Sequence, residues 1–363
     1  MKLNKIINVA IIGCGKIAEK HAIILSSPKL KQFNLVAVCD VEKKKSIKFG
    51  NKYNVASFIN IDDLLNSVEV DLVVICTSSG HHYSNALSVS KYKKDIIIEK
   101  PISLNLRDAK KIIKIYKKNK NRLFVVMQNR LNPLMRLLKD TINKNYLGKI
   151  TNISIRVWWC RQQNYYDEAS WRGTWELDGG IFMNQGIHHL DMMSWLLGPV
   201  KSLVAIIKRK LVNIETEDSG SAILEFENGA IGTIEVSTAL RPMNLENSVT
   251  ILGENGNIKV GGLYMDNLEL YKLKNNKAAN FLLNKYTENK KKNNHYLFYE
   301  DIFRDLSRKK SDMKKSIDGT EAIKSLELVT GIYQSVIKKK RVYFPLKNYI
   351  KNYKSKLLFA LKK

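Results

Sequence analysis

The hydrophobic pattern of the chain changes its period once, near residue 148. Before that point, short apolar runs alternate with segments whose apolar positions recur at helical spacing. The runs IINVAII (6–12), NLVAVCD (34–40), DLVVICT (71–77), DIIIEK (95–100) and RLFVVMQ (122–128) predict strands buried on both faces, with a shorter strand near 56–59. Between them, 16–26, 46–54, a segment from Asp62, and 81–92 read as helices. A further helix follows Leu104, capped by Asn105, with Ala109, Ile112, Ile113 and Ile115 near helical spacing. Strands alternating with helices predict a parallel sheet covered on both faces.

After residue 148, strand-like segments follow one another: 149–159, 200–210, 219–229, 230–240, 247–262 and 268–274. Turns such as Glu227-Asn228-Gly229 and Glu254-Asn255-Gly256 separate some of them, an antiparallel hairpin pattern. One helix around 184–197 interrupts the strands, and a longer one spans about 318–338 after a mixed segment at 293–310. The expected fold is an α/β Rossmann domain with a parallel sheet over 1–130, then an α+β domain with a large, mostly antiparallel open sheet over 131–345. A basic tail, 346–363, follows.

At 363 residues, 44% of them hydrophobic, the chain can build two cores. No stretch approaches the roughly 18 apolar residues of a spanning helix. Lys2 and Lys5 before IINVAIIG, with Cys14 after Gly13, imitate a lipoprotein signal. The apolar run is short and Asn8 interrupts it, so a cytoplasmic protein without membrane contact is expected. The cysteines Cys14, Cys39, Cys76 and Cys160 form no C-x-x-C pair, which argues against structural zinc and disulfides. The net charge of +27 is spread over most helices, with denser lysine runs at 43–45, 117–120, 289–292 and 338–341. That dispersal argues against a nucleic-acid stripe, while leaving a field that steers small anions inward.

Gly13-Cys14-Gly15-Lys16-Ile17-Ala18 fits G-x-G-x-x-G/A between strand and helix, the geometry that brings backbone against a pyrophosphate. Asp40 ends the next strand, where its carboxylate can accept two ribose hydroxyls and repel a 2′-phosphate. With no arginine close behind it, NAD is favoured over NADP. Thr77, Ser78 and Ser79 end one later strand and Glu99-Lys100-Pro101 the next, at the edge where such sheets bind ligands. A partly desolvated lysine there can take a proton, and Pro101 fits a cis turn.

GxGxxA, Asp40, CTSSGHH (76–82), IEKP (98–101) and QNRLNP (128–133), in this order, resemble the Gfo/Idh/MocA family of NAD(P)-dependent sugar and polyol dehydrogenases. The resemblance covers roughly 6–345. It implies that Lys100 meets nicotinamide and substrate hydroxyl, and that Gly13, Gly15, Lys16, Ile17, Asp40, Thr77, Ser78, His82, Glu99, Lys100 and Gln128 serve the cofactor. Ser78 stands where many members have proline.

Between Arg161 and Asp191 the chain reads RQQNYYDEASWRGTWELDGGIFMNQGIHHLD, too polar for a core and too aromatic for a solvated loop. In the family's D-x-x-x-H-x-x-D register, Asn184 replaces the acid and His188 is the active-site histidine. Asn184 and His188, four apart, are expected on one helical face, with His189 rotated away as a structural residue. Asn184 can orient a hydroxyl but cannot act as a base, so proton chemistry falls to Lys100 and His188. No metal is expected, since these residues lack further partners at ligand spacing.

The arrangement Arg161…Tyr165-Tyr166…Trp171-Arg172…Asn184-Gln185…His188 is similar to that of the subgroup oxidising C3 of UDP-N-acetylglucosaminuronic acid in bacterial surface-polysaccharide synthesis. Those residues are the expected substrate contacts: arginines for phosphate or carboxylate, rings for the sugar. An NAD-dependent dehydrogenase of an anionic nucleotide sugar is therefore expected, as a homodimer or homotetramer built on the open sheet face. The alternatives are a family dehydrogenase of a free polyol or hexose such as inositol, and a non-catalytic NAD-binding regulator.

Overall fold

The computed structural model describes residues 6–274, 276–287, 293–307, 318–350 and 353–361. The lysine run at 289–292 and residues 308–310 of the mixed segment lie outside them. Contacts divide the chain into two units, Met1–Gln128 with Asn293–Ile323, and Asn129–Lys292 with Lys324–Lys363.

In the first unit, β1 (Ile7–Ile12), β2 (Phe33–Cys39), β3 (Ala56–Phe58), β4 (Leu72–Ile75), β5 (Asp95–Ile98) and β6 (Leu123–Val125) form one sheet. Its order is β3-β2-β1-β4-β5-β6, with every pairing parallel. The apolar runs are central strands, so Val9, Ala10, Ile11, Val73, Val74, Ile97 and Ile98 are fully buried. The order reverses between β1 and β4. That switch point opens a crevice at the strands' carboxyl ends, where Gly13, Thr77 and Lys100 lie.

The first unit also recruits residues far along the chain. Helix Asn294–Leu306 buries Phe298, Tyr299 and Ile302, and the rings of Tyr299 and Phe303 stand edge-on to Phe33. The expected boundaries placed 293–323 in a continuous second domain. The difference arises because the apolar face of this helix matches the first unit's surface, which no local pattern reveals.

The second unit contains β7 (Ile150–Trp158), β8 (Val200–Lys208), β9 (Ser219–Phe226), β10 (Ile231–Ser237), β11 (Glu246–Gly253), β12 (Gly256–Gly261), β13 (Asn267–Leu273) and β14 (Val342–Tyr343). They make one sheet ordered β13-β12-β11-β7-β10-β9-β8-β14, antiparallel throughout except where β7 meets β10. One face packs under helices: Gly232 lies against Met193, and Gly186 against Val236. The opposite face leaves Val204, Ile206, Ile223 and Ile231 exposed.

Helices Pro133–Asn143, Gln163–Asp167, Asn276–Thr287 and Lys354–Leu361 were not anticipated. The first is capped by Asn132, whose Oδ1 accepts the N–H groups of Leu134 and Met135. The last lies within the basic tail. Its Leu357 is fully buried, and the preceding Tyr353 packs on Tyr333 and Trp175. Among the described residues no helix is long and apolar enough to cross a membrane.

Candidate active site

The glycine turn closes against the neighbouring strand end. A Cβ on Gly13, at φ +92°, would stand 2.8 Å from the backbone of Cys76 and Thr77, whereas Gly15 has nothing within 4 Å of that position. The first glycine is thus forced by packing, and the second leaves room for a ligand to approach the backbone. Gly15 caps helix Lys16–Leu25, whose Ala18 is fully buried, while Lys16 is exposed and Ile17 half-buried. Asp40 holds this turn: Cys14 N–H donates to its Oδ2 (2.8 Å) and Glu42 N–H to its Oδ1 (2.9 Å). Each carboxylate oxygen keeps a further lone pair for a ribose hydroxyl. Burial first, with Asp40's charge second, pushes the Cys14 thiol up to about 12, so it is a poor nucleophile.

Thr77 and Ser78 are half-buried; Asn85 donates to Thr77 Oγ1 (3.0 Å), and Ser78 Oγ contacts His81 Nδ1 (2.8 Å). His82 is buried, with Nδ1 2.6 Å from Pro101 O and Nε2 3.0 Å from Thr77 O. It lies between two strand-end loops, and a neutral ring can donate to one of these two carbonyls. Burial lowers its pKa, favouring the neutral ring. Lys100 is half-buried and its peptide bond to Pro101 is cis. Glu99, buried, accepts the Lys100 N–H at Oε2 (3.0 Å) and contacts His21 Nε2 at Oε1 (3.0 Å). Gln128 closes this set, its side-chain oxygen buried without a hydrogen-bond partner.

In the second unit, the polar run forms a loop leading into a helix. Arg161 and Arg172 flank one ring, their guanidinium carbons 5.3 and 4.2 Å from the Tyr165 centroid. Arg161 also lies over Trp159 (5.2 Å) and donates to Cys160 O and Asn244 Oδ1. Arg172 donates to Tyr165 O and pairs with exposed Glu168 at 3.1 Å, and it lies 5.7 Å from the Trp171 ring. The stack presents concentrated positive charge between aromatic surfaces. Tyr166 corrects its expected role: it is buried with Val212 and Ile214, its hydroxyl 3.0 Å from Thr238 Oγ1, and it serves as core.

Residues Phe182–Gly186 form a π-helical turn that passes directly into helix Ile187–Leu197. The expected regular i,i+4 face therefore does not run through Asn184, because a π-turn pairs residues five apart. Asn184 is half-buried, and its amide donates to Asp178 Oδ1 (2.6 Å). Asp178 Oδ2 also accepts the Gly173 N–H (2.8 Å), so one buried carboxylate joins the arginine loop to the π-turn. Gln185 is buried. His188 is half-buried, whereas His189 is 1% exposed, its Nε2 2.9 Å from Asn247 Oδ1. Burial lowers the His189 pKa and keeps it neutral.

Beneath the π-turn lies Glu217, fully buried. Phe182 N–H donates to its Oε1 (3.2 Å), Tyr333 OH lies 2.9 Å from the same oxygen, and Oε2 fills the space a Cβ on Gly180 would need. Burial, more than any neighbour, pushes its pKa up to about 8. Glu217 and His21 escaped sequence reasoning, and Asp178 was noted only as part of the Asp-Gly-Gly run. The Asp-Gly-Gly and Glu-Thr-Glu-Asp clusters were visible signals, but nothing in them tells a buried acid from a turn.

A model of the oxidoreductase family, NAD-binding Rossmann fold, matches residues 7–127, and one of the GFO/IDH/MocA C-terminal domain matches 135–259. The chain belongs to the Gfo/Idh/MocA family. It is an NAD-dependent oxidoreductase, and the open turn at Gly15 with Asp40 behind it fits that cofactor. Two solved Gfo/Idh/MocA-type structures are similar over nearly the whole chain. The WlbA dehydrogenase of Chromobacterium violaceum, in complex with NADH and UDP-GlcNAcA, is 33% identical with a TM-score of 0.89, covering 95% of this chain and 98% of that one. The WlbA dehydrogenase of Bordetella pertussis, in complex with the same two molecules, is 34% identical with a TM-score of 0.85, covering 94% and 100%. Among curated relatives, the Myo-inositol 2-dehydrogenase of Thermotoga maritima is 27% identical, over 63% of this chain and 68% of its own length.

Proposed function

We propose that this family member oxidises C3 of a UDP-N-acetyl-hexosaminuronic acid to the 3-keto sugar, a step in bacterial surface-polysaccharide synthesis. The observation that carries the reading is the Arg161–Tyr165–Arg172 stack. It occurs in a chain 33% and 34% identical to two dehydrogenases solved with UDP-GlcNAcA. A substrate bearing a diphosphate and a carboxylate needs such cations, and a sugar ring needs such aromatic faces.

Bound NAD supplies the hydride acceptor. Gly13, Gly15, Lys16, Ile17 and Asp40 hold its pyrophosphate and ribose side, and Thr77, Ser78, Glu99, Lys100 and Gln128 line the strand ends beyond. Lys100 takes the proton of the C3 hydroxyl while the C3 hydrogen departs with its electron pair, leaving a carbonyl. His188 assists by exchanging that proton with the hydroxyl. Asn184, oriented by Asp178, binds a hydroxyl and takes no proton. The 3-keto product is the carbonyl an aminotransferase requires. Nucleotide sugars and NAD are cytoplasmic pools, so the reading places the reaction there. The exposed Val204, Ile206, Ile223 and Ile231 support a homodimer or homotetramer through the open sheet face.

A free polyol such as inositol is the second reading, supported by the inositol-dehydrogenase relative. It gives Arg161 no anionic group to meet, whereas Arg172 already has Glu168. The deciding experiment mixes purified protein, NAD and UDP-N-acetylglucosaminuronic acid and follows NADH and the keto sugar. A second assay adds an aminotransferase or 2-oxoglutarate to draw the equilibrium forward. Product in either supports the nucleotide sugar; silence in both, with turnover of inositol, rejects it.

A further inference from the structure

The residue before Lys100 anchors a buried polar line within the first unit. Glu99 sends Oε1 to His21 Nε2 (3.0 Å) and Oε2 to the N–H of Lys100 (3.0 Å). His21, fully buried, meets the Tyr299 hydroxyl with its other ring nitrogen at 2.8 Å. Tyr299, also fully buried, is fixed edge-on by His21 and Phe33. An ionised carboxylate only accepts, so His21 Nε2–H donates to Glu99, and Nδ1 then accepts the tyrosine proton. Every donor in the line has one acceptor.

The line ends on the backbone of the lysine. Strand β5 stops at Ile98, so the Lys100 N–H lies past the strand's end, and Glu99 Oε2 accepts it. On the other side, Pro101 O lies 2.6 Å from His82 Nδ1. Burial alone would raise Glu99. The hydrogen bond from His21 is the largest of the neighbouring effects that reverse this and bring it down to about 2. The groups facing the carboxylate are His21 on helix Lys16–Leu25, His295 and Tyr299 on helix Asn294–Leu306, Cys76 after β4, His82 and Lys100. His295, driven to about 4 by burial, adds no proton at neutral pH.

His21, Glu99 and His295 also bring three ligand atoms within 4.8 Å of one another. A metal ion there, at bond lengths near 2 Å, would break the existing hydrogen bonds of His21 and Glu99. The three hydrogen bonds of the line account for the placement of His21 and Glu99 without an ion.

We propose that Glu99, held by His21 and Tyr299, is a positioning residue for Lys100: it clamps the lysine's backbone and carries a fixed negative charge on the adjacent residue. The proposal rests on Lys100 as the proton acceptor. Removing the charge disfavours the ammonium form, so the amine becomes competent at lower pH.

The test compares Glu99→Gln, Glu99→Asp, Tyr299→Phe and Lys100→Ala in the NAD-loaded protein. Glu99→Gln is expected to lower kcat about 10–100-fold, with the sugar's KM within about twofold. Glu99→Asp restores the charge and the wild-type pH dependence. Tyr299→Phe, the milder change, moves kcat the same way by less, which keeps the test open if Glu99→Gln folds poorly. A readout without the sugar is the titration of the 13C-dimethylated Lys100 amine by NMR, assigned with Lys100→Arg. Its midpoint should fall by about one pH unit in Glu99→Gln. An unmoved midpoint, or a stoichiometric transition metal in the purified protein lost in His21→Gln, overturns the proposal. Lys100→Ala separates the two failures. If it keeps turnover, the proton-acceptor reading falls with the proposal; if it is dead while Glu99→Gln is wild-type, only the proposal falls.

Discussion

Arg130 and Asp191 form a bidentate ion pair inside the second unit, Nε to Oδ2 and Nη2 to Oδ1 both at 2.7 Å. The two side chains are 6% and 2% exposed, and the guanidinium also lies over the Trp195 ring. The pair ties the arginine of QNRLNP to the helix of His188, three residues from that histidine. Two stretches that looked like separate motifs are one contact.

Breaking this pair takes its bidentate counter-ion from a buried charge. Asp191→Asn or Arg130→Met is expected to cost about 3–5 kcal/mol, and the double variant Arg130→Met/Asp191→Leu less than the worse single change. Urea unfolding measures both. A single variant as stable as wild type would show that the pair is dispensable.

Adjacent histidines should separate stability from chemistry. His188→Gln is expected to reduce kcat about 10²-fold or more at unchanged Tm. His189→Gln, which disrupts a buried bond to Asn247, should lower Tm by several degrees. Kinetics and thermal melts on both variants check the contrast, and reversed outcomes would exchange the assignments.

Asp40 is expected to set cofactor choice. Asp40→Ser removes a charged acceptor and its repulsion of a 2′-phosphate, so NAD affinity should fall about 10–100-fold and NADP affinity rise. Fluorescence titration with each reduced cofactor reads this without any sugar substrate. The loss also includes loosening of the glycine turn, since Cys14 and Glu42 lose their acceptor.

Glu217 makes stability depend on pH in a definite direction. Its pKa is raised from 4.5 to about 8 on folding, so the folded state binds the extra proton between those values. Its contribution is greatest below about pH 4.5 and declines as pH rises toward 8. Glu217→Gln should flatten that decline and melt higher than wild type at pH 8.5. His295 runs the other way: depressed from 6.5 to about 4, its contribution is present above 6.5 and lost as pH falls through 4. Melts from pH 4 to 9 on wild type, Glu217→Gln and His295→Gln check both signs.

Arg161 is the sharpest probe of the substrate. Arg161→Met keeps much of the packing on Trp159 and Tyr165 but removes the charge, so UDP-N-acetylglucosaminuronic acid should bind about 10–100-fold more weakly. Calorimetry with NAD present measures it. Unchanged affinity would direct the anion elsewhere.

Much of the first unit was legible because its strands are buried on both faces and announce themselves as unbroken apolar runs, as at 71–77 and 95–100. The glycine turn and Asp40 were legible because backbone conformation and charge are local demands. The return of 293–306 was not, because the partners of Tyr299, namely His21 and Phe33, lie more than 260 positions away in the sequence. Tyr166 misled for a related reason: in a run of polar and aromatic residues, the ring that faces Val212 looks the same as the ring that faces solvent. Asp178 and Glu217 are acids whose burial depends on Gly173 and Gly180, and only the assembled loop shows it.

The π-turn at Phe182–Gly186 amounts to one residue more than a regular helix would hold over the same rise. The offset between the Asn184 amide and the His188 ring is therefore set by chain length and not by side-chain choice. No substitution at either position can reproduce it on a regular helix. Deleting Gly186 would leave every side chain of the site present and rotate those before the deletion by about a hundred degrees against those after it. The site's geometry is stored in a count of residues, and an intact set of site residues does not by itself guarantee it.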